Sequence, residues 1–104
     1  MAIRVMLVDD HAILRQALRH VLELEGDIAV VAEASSAAEA LLLARQVAPD
    51  VAIMDIGMPG MDGIETTRHL LAENNGIRVL TLSTYLDRRI IQRMLEAGSC
   101  GYVV

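Results

Sequence analysis

The stretch that decides the fold is VAIMDIGMPGMDG, at Val51–Gly63. Its first four residues are apolar, and a single carboxylate, Asp55, separates them from a loop rich in Gly and Pro. Short apolar runs bounded by turn residues are typical of strands buried on both faces. An acid at the carboxyl end of such a strand lies where open α/β sheets bind their ligands. An Asp at this position can also simply cap a turn, so the rest of the chain has to decide between the two interpretations.

The remaining sequence alternates between strand and helix patterns. Besides the Asp55 strand, apolar runs predict four more strands, at Ile3–Val8, Ile28–Ala32, Ile77–Leu82 and Gly101–Val104. Amphipathic spacing and capping signatures predict four helices, at His11–Glu25, from Ser36 to Val47, from Asp62 to the Asn74-Asn75-Gly76 stop, and from Asp87 to Ala97. Strands alternating with helices through short connections predict a parallel sheet covered on both faces.

Polar side chains follow three of the predicted strands. Asp9 and Asp10 follow the first strand, Asp55 ends the third, and Ser83 follows the fourth. Because the carboxyl ends of parallel strands share one edge of the sheet, we expect these residues to lie close together. Two carboxylates about 4 Å apart repel by on the order of 4 kcal/mol at an effective dielectric near 20. A divalent cation relieves that repulsion, and oxygen ligands favour Mg²⁺.

Two roles are then open to Asp55, that of a metal ligand and that of a nucleophile. A carboxylate can attack phosphorus and form an acyl phosphate, while a metal neutralises the phosphoryl oxygens and the Ser83 hydroxyl donates to one of them. No combination of His and Cys supports a zinc site, because the three histidines are scattered and Cys100 is the single cysteine. His11 is interpreted as a residue of the first helical turn.

The composition excludes several other classes of function. With 104 residues the chain forms one domain, and its formal charge of -5 argues against a nucleic-acid surface on it. The N-terminus has no signal-peptide organisation, and the longest apolar run, Ala40–Ala44, is too short to cross a bilayer. We therefore expect a cytoplasmic domain that contacts neither DNA nor a membrane directly.

Four segments, in the correct order, resemble the receiver domain of two-component response regulators: Val8–His11, Met54–Gly63, Leu82–Thr84 and Ala97–Tyr102. The resemblance covers the whole chain. The VDDH opening and the AGxxGY ending are most similar to the subfamily in which the receiver precedes a LuxR/NarL-type helix-turn-helix. The resemblance implies a flavodoxin-like, doubly wound sheet of five parallel strands in the order 2-1-3-4-5.

The resemblance also implies a chemical role for the acidic residues. Asp55 would accept a phosphoryl group from a phosphohistidine on a sensor histidine kinase, in a reaction that depends on Mg²⁺. Asp10, Asp55 and the backbone carbonyl of Gly57 would bind the Mg²⁺, and Asp9 would assist through water.

A conformational switch is implied as well. Ser83 would move toward the phosphoryl group, and Tyr102 would be the aromatic ring that turns inward when it does. Without the resemblance, Tyr102 is equally well interpreted as a half-buried ring with its hydroxyl at the surface. The switch would control a C-terminal helix-turn-helix output domain in transcription regulation, with homodimer formation as a further interaction.

The chain departs from the family pattern at its end. It stops one residue before the position of a family lysine that contacts the phosphoryl group, it contains no lysine, and it lacks the fifth helix. We therefore expect residues 1–104 to be a receiver domain truncated at its C-terminus, without its output domain. The sheet face left bare beside the first helix favours self-association. The alternative is a receiver that naturally lacks the lysine.

Two other functions stay open at this point. A pseudo-receiver would bind partners without phosphotransfer. A Mg²⁺-dependent phosphohydrolase with an aspartyl nucleophile would need a general acid two residues after the nucleophile, where this chain has Gly57. We expect a signalling domain rather than an enzyme that turns over a small molecule.

Overall fold

A computed structural model of the chain describes residues 2–55, 63–74, 76–82, 92, 95–99 and 101–103. Eight elements follow one another in this part of the chain: β1 (Ile3–Val8), α1 (Ala12–Glu23), β2 (Ile28–Ala34), α2 (Ala37–Val47), β3 (Val51–Asp55), α3 (Gly63–Glu73), β4 (Arg78–Leu82) and β5 (Gly101–Val103). The predicted helix from Asp87 to Ala97 lies mostly outside the described residues, although Gln92, Leu95 and Glu96 have helical backbone.

The five strands form one parallel sheet in the order β2-β1-β3-β4-β5, which confirms the predicted fold class and strand order. The register pairs Val8 with Met54 and Asp55 with Leu82. Because every strand runs in the same direction, the carboxyl ends of β1, β3 and β4 lie next to one another at one edge.

Each face of the sheet carries its own apolar core. On one face α2 and α3 cover a cluster of fully buried side chains that includes Met6, Met54, Leu70 and Val79. On the other face Leu18 and Leu22 of α1 contribute to a smaller cluster around Val5, Leu7 and Val30. The sheet is therefore covered from both sides, as the alternation of strands and helices predicted.

The helix α1 is packed less completely than the other two described helices. None of its residues is buried, and Ile13 and Val21 are largely exposed although both are apolar. Among the described residues, no helix is long and apolar enough to cross a membrane.

Local sequence signals explain where α2 begins and ends. The Ser36 hydroxyl accepts a hydrogen bond from the Glu39 backbone N–H at 3.2 Å, and the Glu39 carboxylate accepts one from the Ser35 N–H at 2.9 Å. These reciprocal bonds satisfy donors that the first helical turn leaves without partners. At the other end, Ala48 takes a left-handed conformation, with φ 46°, and Pro49 follows it. The predicted bounds of α2 are thus confirmed.

The predicted bounds of three elements differ from the structure, and one of them is the fourth strand, which begins at Arg78 rather than at Ile77. The second strand continues to Ala34, two residues beyond the prediction, because the Ala34 carbonyl accepts a hydrogen bond from the Asp9 N–H at 2.9 Å and extends the ladder with β1. The first helix begins at Ala12 and ends at Glu23. His11 therefore precedes the helix, with an extended backbone (φ -92°, ψ 98°), and its assignment to the first helical turn was wrong.

A buried hydroxyl pair joins β4 to the segment before β5. Thr81 and Ser99 lie 2.7 Å apart through their hydroxyl oxygens, and both residues are buried. The Ser99 hydroxyl also lies within hydrogen-bond distance of two backbone carbonyls, 3.0 Å from that of Val79 and 2.8 Å from that of Gly101. Because unpaired polar groups are costly in a core, this network fixes where β5 joins the sheet.

Gly98, which precedes Ser99, has φ 111°, a conformation that residues with a side chain rarely adopt. A Cβ at this position would lie 2.3 Å from Leu71 Cδ1 on α3. The Gly98 of the Ala97–Tyr102 segment is thus explained by a turn that passes close to α3.

Replacing Gly98 with Ala is therefore expected to destabilise the fold. We expect the free energy of unfolding to fall by about 1–3 kcal/mol from backbone strain alone, with a further loss from the contact with Leu71. Urea unfolding followed by circular dichroism measures this change. Gly26→Ala is the matched control, because nothing lies within 4 Å of a Cβ at that position. Equal effects of the two substitutions would contradict the explanation.

Candidate functional site

Four side chains converge at the carboxyl edge of the sheet, where β1 and β3 end. Asp9, Asp10, His11 and Asp55 each offer one ligand atom, and these four atoms all lie within 4.8 Å of one another. The residues come from two segments more than forty positions apart in the sequence. They meet because β1 and β3 are paired in parallel.

Asp9 forms the buried floor of this cluster. The residue is 2% exposed, and its Oδ1 accepts hydrogen bonds from the His11 backbone N–H at 2.8 Å and from the His11 ring at 2.9 Å. Its Oδ2 is buried and has no hydrogen-bond partner among the described residues. Burying a carboxylate oxygen without a partner costs free energy, and a bound cation would reduce that cost.

The other two carboxylates are more accessible than Asp9. The side chain of Asp10 is 32% exposed and that of Asp55 is 13% exposed. Asp10 Oδ1 lies 3.0 Å from His11 Nδ1, and Asp55 Oδ2 lies 3.8 Å from the same nitrogen. The cluster is thus closed at the bottom by Asp9 and accessible from solvent at Asp10.

Arg15 fixes the backbone of the loop that carries the acidic pair. From the first turns of α1, its Nη1 donates to the Asp9 carbonyl oxygen at 2.5 Å, and its Nε lies 3.4 Å from a carboxylate oxygen of Glu33 on β2. Glu33 is also held by Arg19, whose Nη1 donates to it at 2.7 Å. Arg15, Arg19 and Glu33 therefore form a network of charged side chains that connects the turn after β1 with the neighbouring strand.

Three carboxylates around one imidazole change the acid–base behaviour of His11. The hydrogen bond with Asp9 raises the pKa of His11 above its ordinary value, and the negative charge of Asp10 raises it further. In the protonated form, His11 places a positive charge at the point where the carboxylates come together.

The donor set fits a divalent cation. Carboxylates are the ligands that Mg²⁺ prefers, three of them are present, and one buried carboxylate oxygen has no other partner among the described residues. The cluster is also open on one side, so that water molecules can complete the coordination of Mg²⁺, which keeps several of them.

The structure brings together three of the residues that the sequence analysis selected, namely Asp9, Asp10 and Asp55. Gly57 and Ser83, and the side chain of Tyr102, lie outside the described residues. The backbone of Tyr102 is described, and it pairs with Thr81 in the sheet.

Sequence reasoning missed the roles of His11 and Arg15. His11 directly follows the acidic pair, and its ring turns back onto that pair because the residue still has an extended backbone. Arg15 comes four residues later, which places it one helical turn above His11, and its backbone N–H donates to the His11 carbonyl at 3.0 Å. This four-residue spacing is the one signal that could have indicated that Arg15 faces the loop.

Comparison with known protein families gives one match over almost the whole chain. Residues 5–104 match the family model of the response regulator receiver domain. The matched range includes all four residues of the acidic cluster.

Individual relatives agree with this result. The chain is 39% identical over 102 residues to the transcriptional regulatory protein LiaR of Bacillus subtilis, which covers 98% of the chain and 48% of LiaR. The chain spans about half the length of the curated relatives it matches.

Solved structures of response regulators are also similar to this chain. A LuxR-family two-component response regulator from Aurantimonas sp. SI85-9A1 is 40% identical with a TM-score of 0.92, over 98% of this chain and 73% of that one. The signal receiver domain of the putative response regulator NarL from Mycobacterium tuberculosis is 35% identical with a TM-score of 0.91, over 98% of this chain and 82% of that one. The similarity to LuxR- and NarL-type regulators agrees with the subfamily that the sequence motifs indicated.

Magnesium is expected to stabilise the folded chain, because the unfolded chain has no assembled cluster. At a Mg²⁺ concentration 100 times the dissociation constant, we expect a gain of about 2.7 kcal/mol in the free energy of unfolding, and EDTA should reverse it. Thermal unfolding followed by circular dichroism, with and without Mg²⁺, measures the gain.

Asp10→Asn should remove most of this Mg²⁺-dependent gain, since it deletes a carboxylate of the cluster. Asp27→Asn, which changes an exposed acid between α1 and β2, should retain the gain. If the Asp27 variant lost as much of the gain as the Asp10 variant, the Mg²⁺ effect would not come from the cluster.

Proposed function

The chain belongs to the response regulator receiver domain family, and from this premise we propose that it accepts a phosphoryl group on Asp55 from a sensor histidine kinase. The reaction depends on Mg²⁺ bound by the acidic cluster. The domain is a signalling module rather than an enzyme that turns over a small molecule. The observation that carries the proposal is the position of Asp55 at the end of β3, beside Asp9 and Asp10.

The chain's own residues supply most of what phosphoryl transfer requires. One carboxylate oxygen of Asp55 forms a bond to phosphorus while the bond from phosphorus to the imidazole nitrogen of the donor breaks, which leaves an acyl phosphate on Asp55. Asp10, Asp55 and the backbone carbonyl of Gly57 would hold the cation, and Asp9 would assist through water. When bound, Mg²⁺ neutralises charge on the phosphoryl oxygens.

Arg15 stabilises the loop that carries Asp9 and Asp10. Because its guanidinium holds the Asp9 carbonyl and is itself held by Glu33, the loop that carries the acidic pair keeps its shape when the charge on the cluster changes. Preorganised ligands of this kind reduce the cost of reorganisation during the reaction.

The response to phosphorylation is proposed to pass from β4 to β5. Ser83 directly follows Leu82, the last residue of β4, and contacts the phosphoryl group, while Tyr102 on β5 changes its ring position in response. Two features support this route: Thr81 pairs with Tyr102, and Leu82 pairs with Val103. The buried hydroxyl pair of Thr81 and Ser99, which joins β4 to the segment before β5, also supports this route.

The larger protein is proposed to be a transcriptional regulator. The chain covers about half of relatives such as the transcriptional regulatory protein LiaR. Residues 1–104 would then be the receiver domain, and a helix-turn-helix output domain that binds DNA would follow it. Homodimer formation would activate this output domain.

Small phosphodonors test the proposed chemistry directly. With phosphoramidate and Mg²⁺, we expect the intact mass to rise by one phosphoryl group, and we expect Asp55→Asn and EDTA each to abolish the rise. Asp27→Asn should be phosphorylated as well as the parent chain. Mass spectrometry measures the adduct, and the full-length protein should be tested alongside the 104-residue chain.

The same experiment separates the alternative functions. Repeated release of phosphate without an accumulating adduct would indicate a phosphohydrolase. The absence of both an adduct and phosphate release in the full-length protein would indicate a pseudo-receiver that works only by binding.

Ser83→Ala tests the proposed switch separately from the chemistry. We expect the variant to form the Asp55 adduct more slowly, by about 100-fold, because one hydrogen-bond donor to the phosphoryl group is lost. We also expect the NMR signals of the Tyr102 ring to keep their unphosphorylated positions when the adduct has formed. Movement of those signals equal to that in the parent chain would separate Ser83 from the switch.

A further inference from the structure

The strand β2 contains one extra residue opposite β1. Val5 of β1 pairs with Val30. The next residue of β1, Met6, pairs with Ala32, so that Val31 is an extra residue in β2. An insertion of this kind is a β-bulge, and because side chains alternate along a strand, it moves the side chains that follow to the opposite face. The two cores agree with this, since Val30 packs on the α1 side of the sheet and Ala32 on the α2 side.

This bulge decides which face of the sheet Glu33 occupies. In the structure Glu33 pairs with Leu7 and lies on the α1 side. Without the extra residue, Glu33 would instead pair with Val8, whose side chain lies in the core under α2 and α3. β-bulges are over-represented beside functional sites, where they change the direction of a side chain. The position of Glu33 therefore calls for an explanation beyond the packing of the sheet.

On the α1 side, Glu33 lies between two arginines. Its Oε1 is 3.4 Å from Arg15 Nε, and its Oε2 accepts a hydrogen bond from Arg19 Nη1 at 2.7 Å. The side chains of Arg15 and Glu33 are only 19% and 25% exposed, so that salt screens this ion pair less than a pair at the open surface. Both carboxylate oxygens of Glu33 are thus held by α1.

The guanidinium of Arg15 also contacts the turn that carries Asp9 and Asp10, here called the acidic turn. While Arg15 Nε faces Glu33, its Nη1 donates to the backbone carbonyl of Asp9. The N–H of Asp9 donates to the carbonyl of Ala34, the residue after Glu33, at 2.9 Å. The end of β2 therefore holds Asp9 at its N–H directly and at its C=O through Arg15. This carbonyl belongs to the peptide group that joins Asp9 to Asp10.

We propose that Glu33 is a positioning residue of the cation site, which acts through Arg15 on the backbone of the acidic turn and so fixes the direction of both carboxylates before the cation arrives. The proposal rests on the proposed function, because it concerns the same cluster, and it adds a determinant of Mg²⁺ affinity that lies outside that cluster. Ligands that are already fixed bind more tightly than ligands that have to be ordered on binding. In this role neither Glu33 nor Arg15 contacts the cation.

The Mg²⁺ affinity of the full-length protein tests the proposal, and calorimetric titration with MgCl₂ measures it. We expect Glu33→Gln and Arg15→Gln each to weaken Mg²⁺ binding about 10-fold, the smaller of the losses seen when an outer partner of a metal ligand is removed. On charge alone the two variants would have opposite effects, because the loss of a positive charge beside the cluster would strengthen Mg²⁺ binding. Unchanged or stronger binding by Arg15→Gln would overturn the proposal.

The double variant shows whether the two residues act as one unit. Because Glu33 acts through Arg15, we expect the variant with both substitutions to lose again about 10-fold, whereas independent effects would multiply to about 100-fold. Arg15→Lys keeps the positive charge but lacks the fork of donors that reaches two acceptors, so it should lose as much as Arg15→Gln. Multiplied losses in the double variant, or the parent's affinity in Arg15→Lys, would overturn the proposal.

Glu23→Gln is the matched control for Glu33→Gln. Glu23 is the other carboxylate that Arg19 binds, with Arg19 Nε donating to it at 3.0 Å, and it lies on α1 rather than on β2. Its removal deletes the same charge from the same network and leaves the link from Glu33 through Arg15 in place. We expect its Mg²⁺ affinity to equal that of the parent. A loss equal to that of Glu33→Gln would show a general effect of charge and would overturn the proposal.

Protection of the sheet edge is the alternative explanation of the bulge and of Glu33. The strand β2 lies at one edge of the sheet, and bulges and inward-pointing charges keep edge strands from pairing with other chains. Analytical ultracentrifugation of Glu33→Gln measures this effect. Increased self-association together with the parent's Mg²⁺ affinity would overturn the proposal in favour of edge protection, whereas weaker Mg²⁺ binding by a variant that sediments like the parent supports it.

The rate of adduct formation separates positioning from a general loss of structure. With phosphoramidate, we expect Glu33→Gln to need about 10-fold more Mg²⁺ for the half-maximal rate and to reach the parent's rate at saturating Mg²⁺, because Asp55 lies on β3 rather than on the acidic turn. A lower rate at saturating Mg²⁺ would indicate a disturbed fold and contradict the proposal.

The failure of this inference can be told apart from the failure of the proposed function. A protein that forms the Asp55 adduct with the same Mg²⁺ dependence in the parent and in Glu33→Gln refutes only the positioning role. A protein whose Mg²⁺ affinity depends on Glu33 and Arg15 as described, but which forms no adduct, refutes only the phosphoacceptor role.

Discussion

The acidic cluster depends on the parallel register between β1 and β3. Because Val8 pairs with Met54, the next residues, Asp9 just after β1 and Asp55 at the end of β3, lie side by side. Side chains alternate between the faces of a strand, so a shift of one residue would turn one carboxylate away from the other. Both cores oppose such a shift, since Val8 and Met54 are buried on one face while Leu7 and Ile53 pack on the other. The packing of the sheet thus fixes the site.

Most of the fold could be predicted because strands buried on both faces must be apolar along their length. The strand order came from the family resemblance, since periodicity does not determine which strands are neighbours. The second strand was predicted too short because Glu33 interrupts its apolar run. In the structure Arg15 and Arg19 bind the Glu33 carboxylate, so the strand continues through a charged residue. Such compensation between distant residues cannot be deduced from a local pattern.

The site residues likewise divide into those that a local sequence pattern predicts and those whose roles depend on the folded structure. The three Asp residues could be predicted because each follows a strand, and the topology alone brings strand ends together. The orientation of His11 could not, because it follows from backbone angles at the point where β1 gives way to α1. The role of Arg15 was equally inaccessible, since its partner is the backbone carbonyl of Asp9, and a backbone acceptor is present at every residue.

The physical character of the cluster explains why such a site suits a switch. The fold holds like charges together and buries one carboxylate oxygen of Asp9 without a partner among the described residues, a cost that a bound cation would reduce. The rest of the domain tolerates this cost because both cores and the Arg15 contact hold the backbone in place. Asp55 pairs with Leu82 of β4, and Leu82 pairs with Val103 of β5. In the proposed switch, a change of charge at Asp55 would therefore reach β4 first and β5 through it.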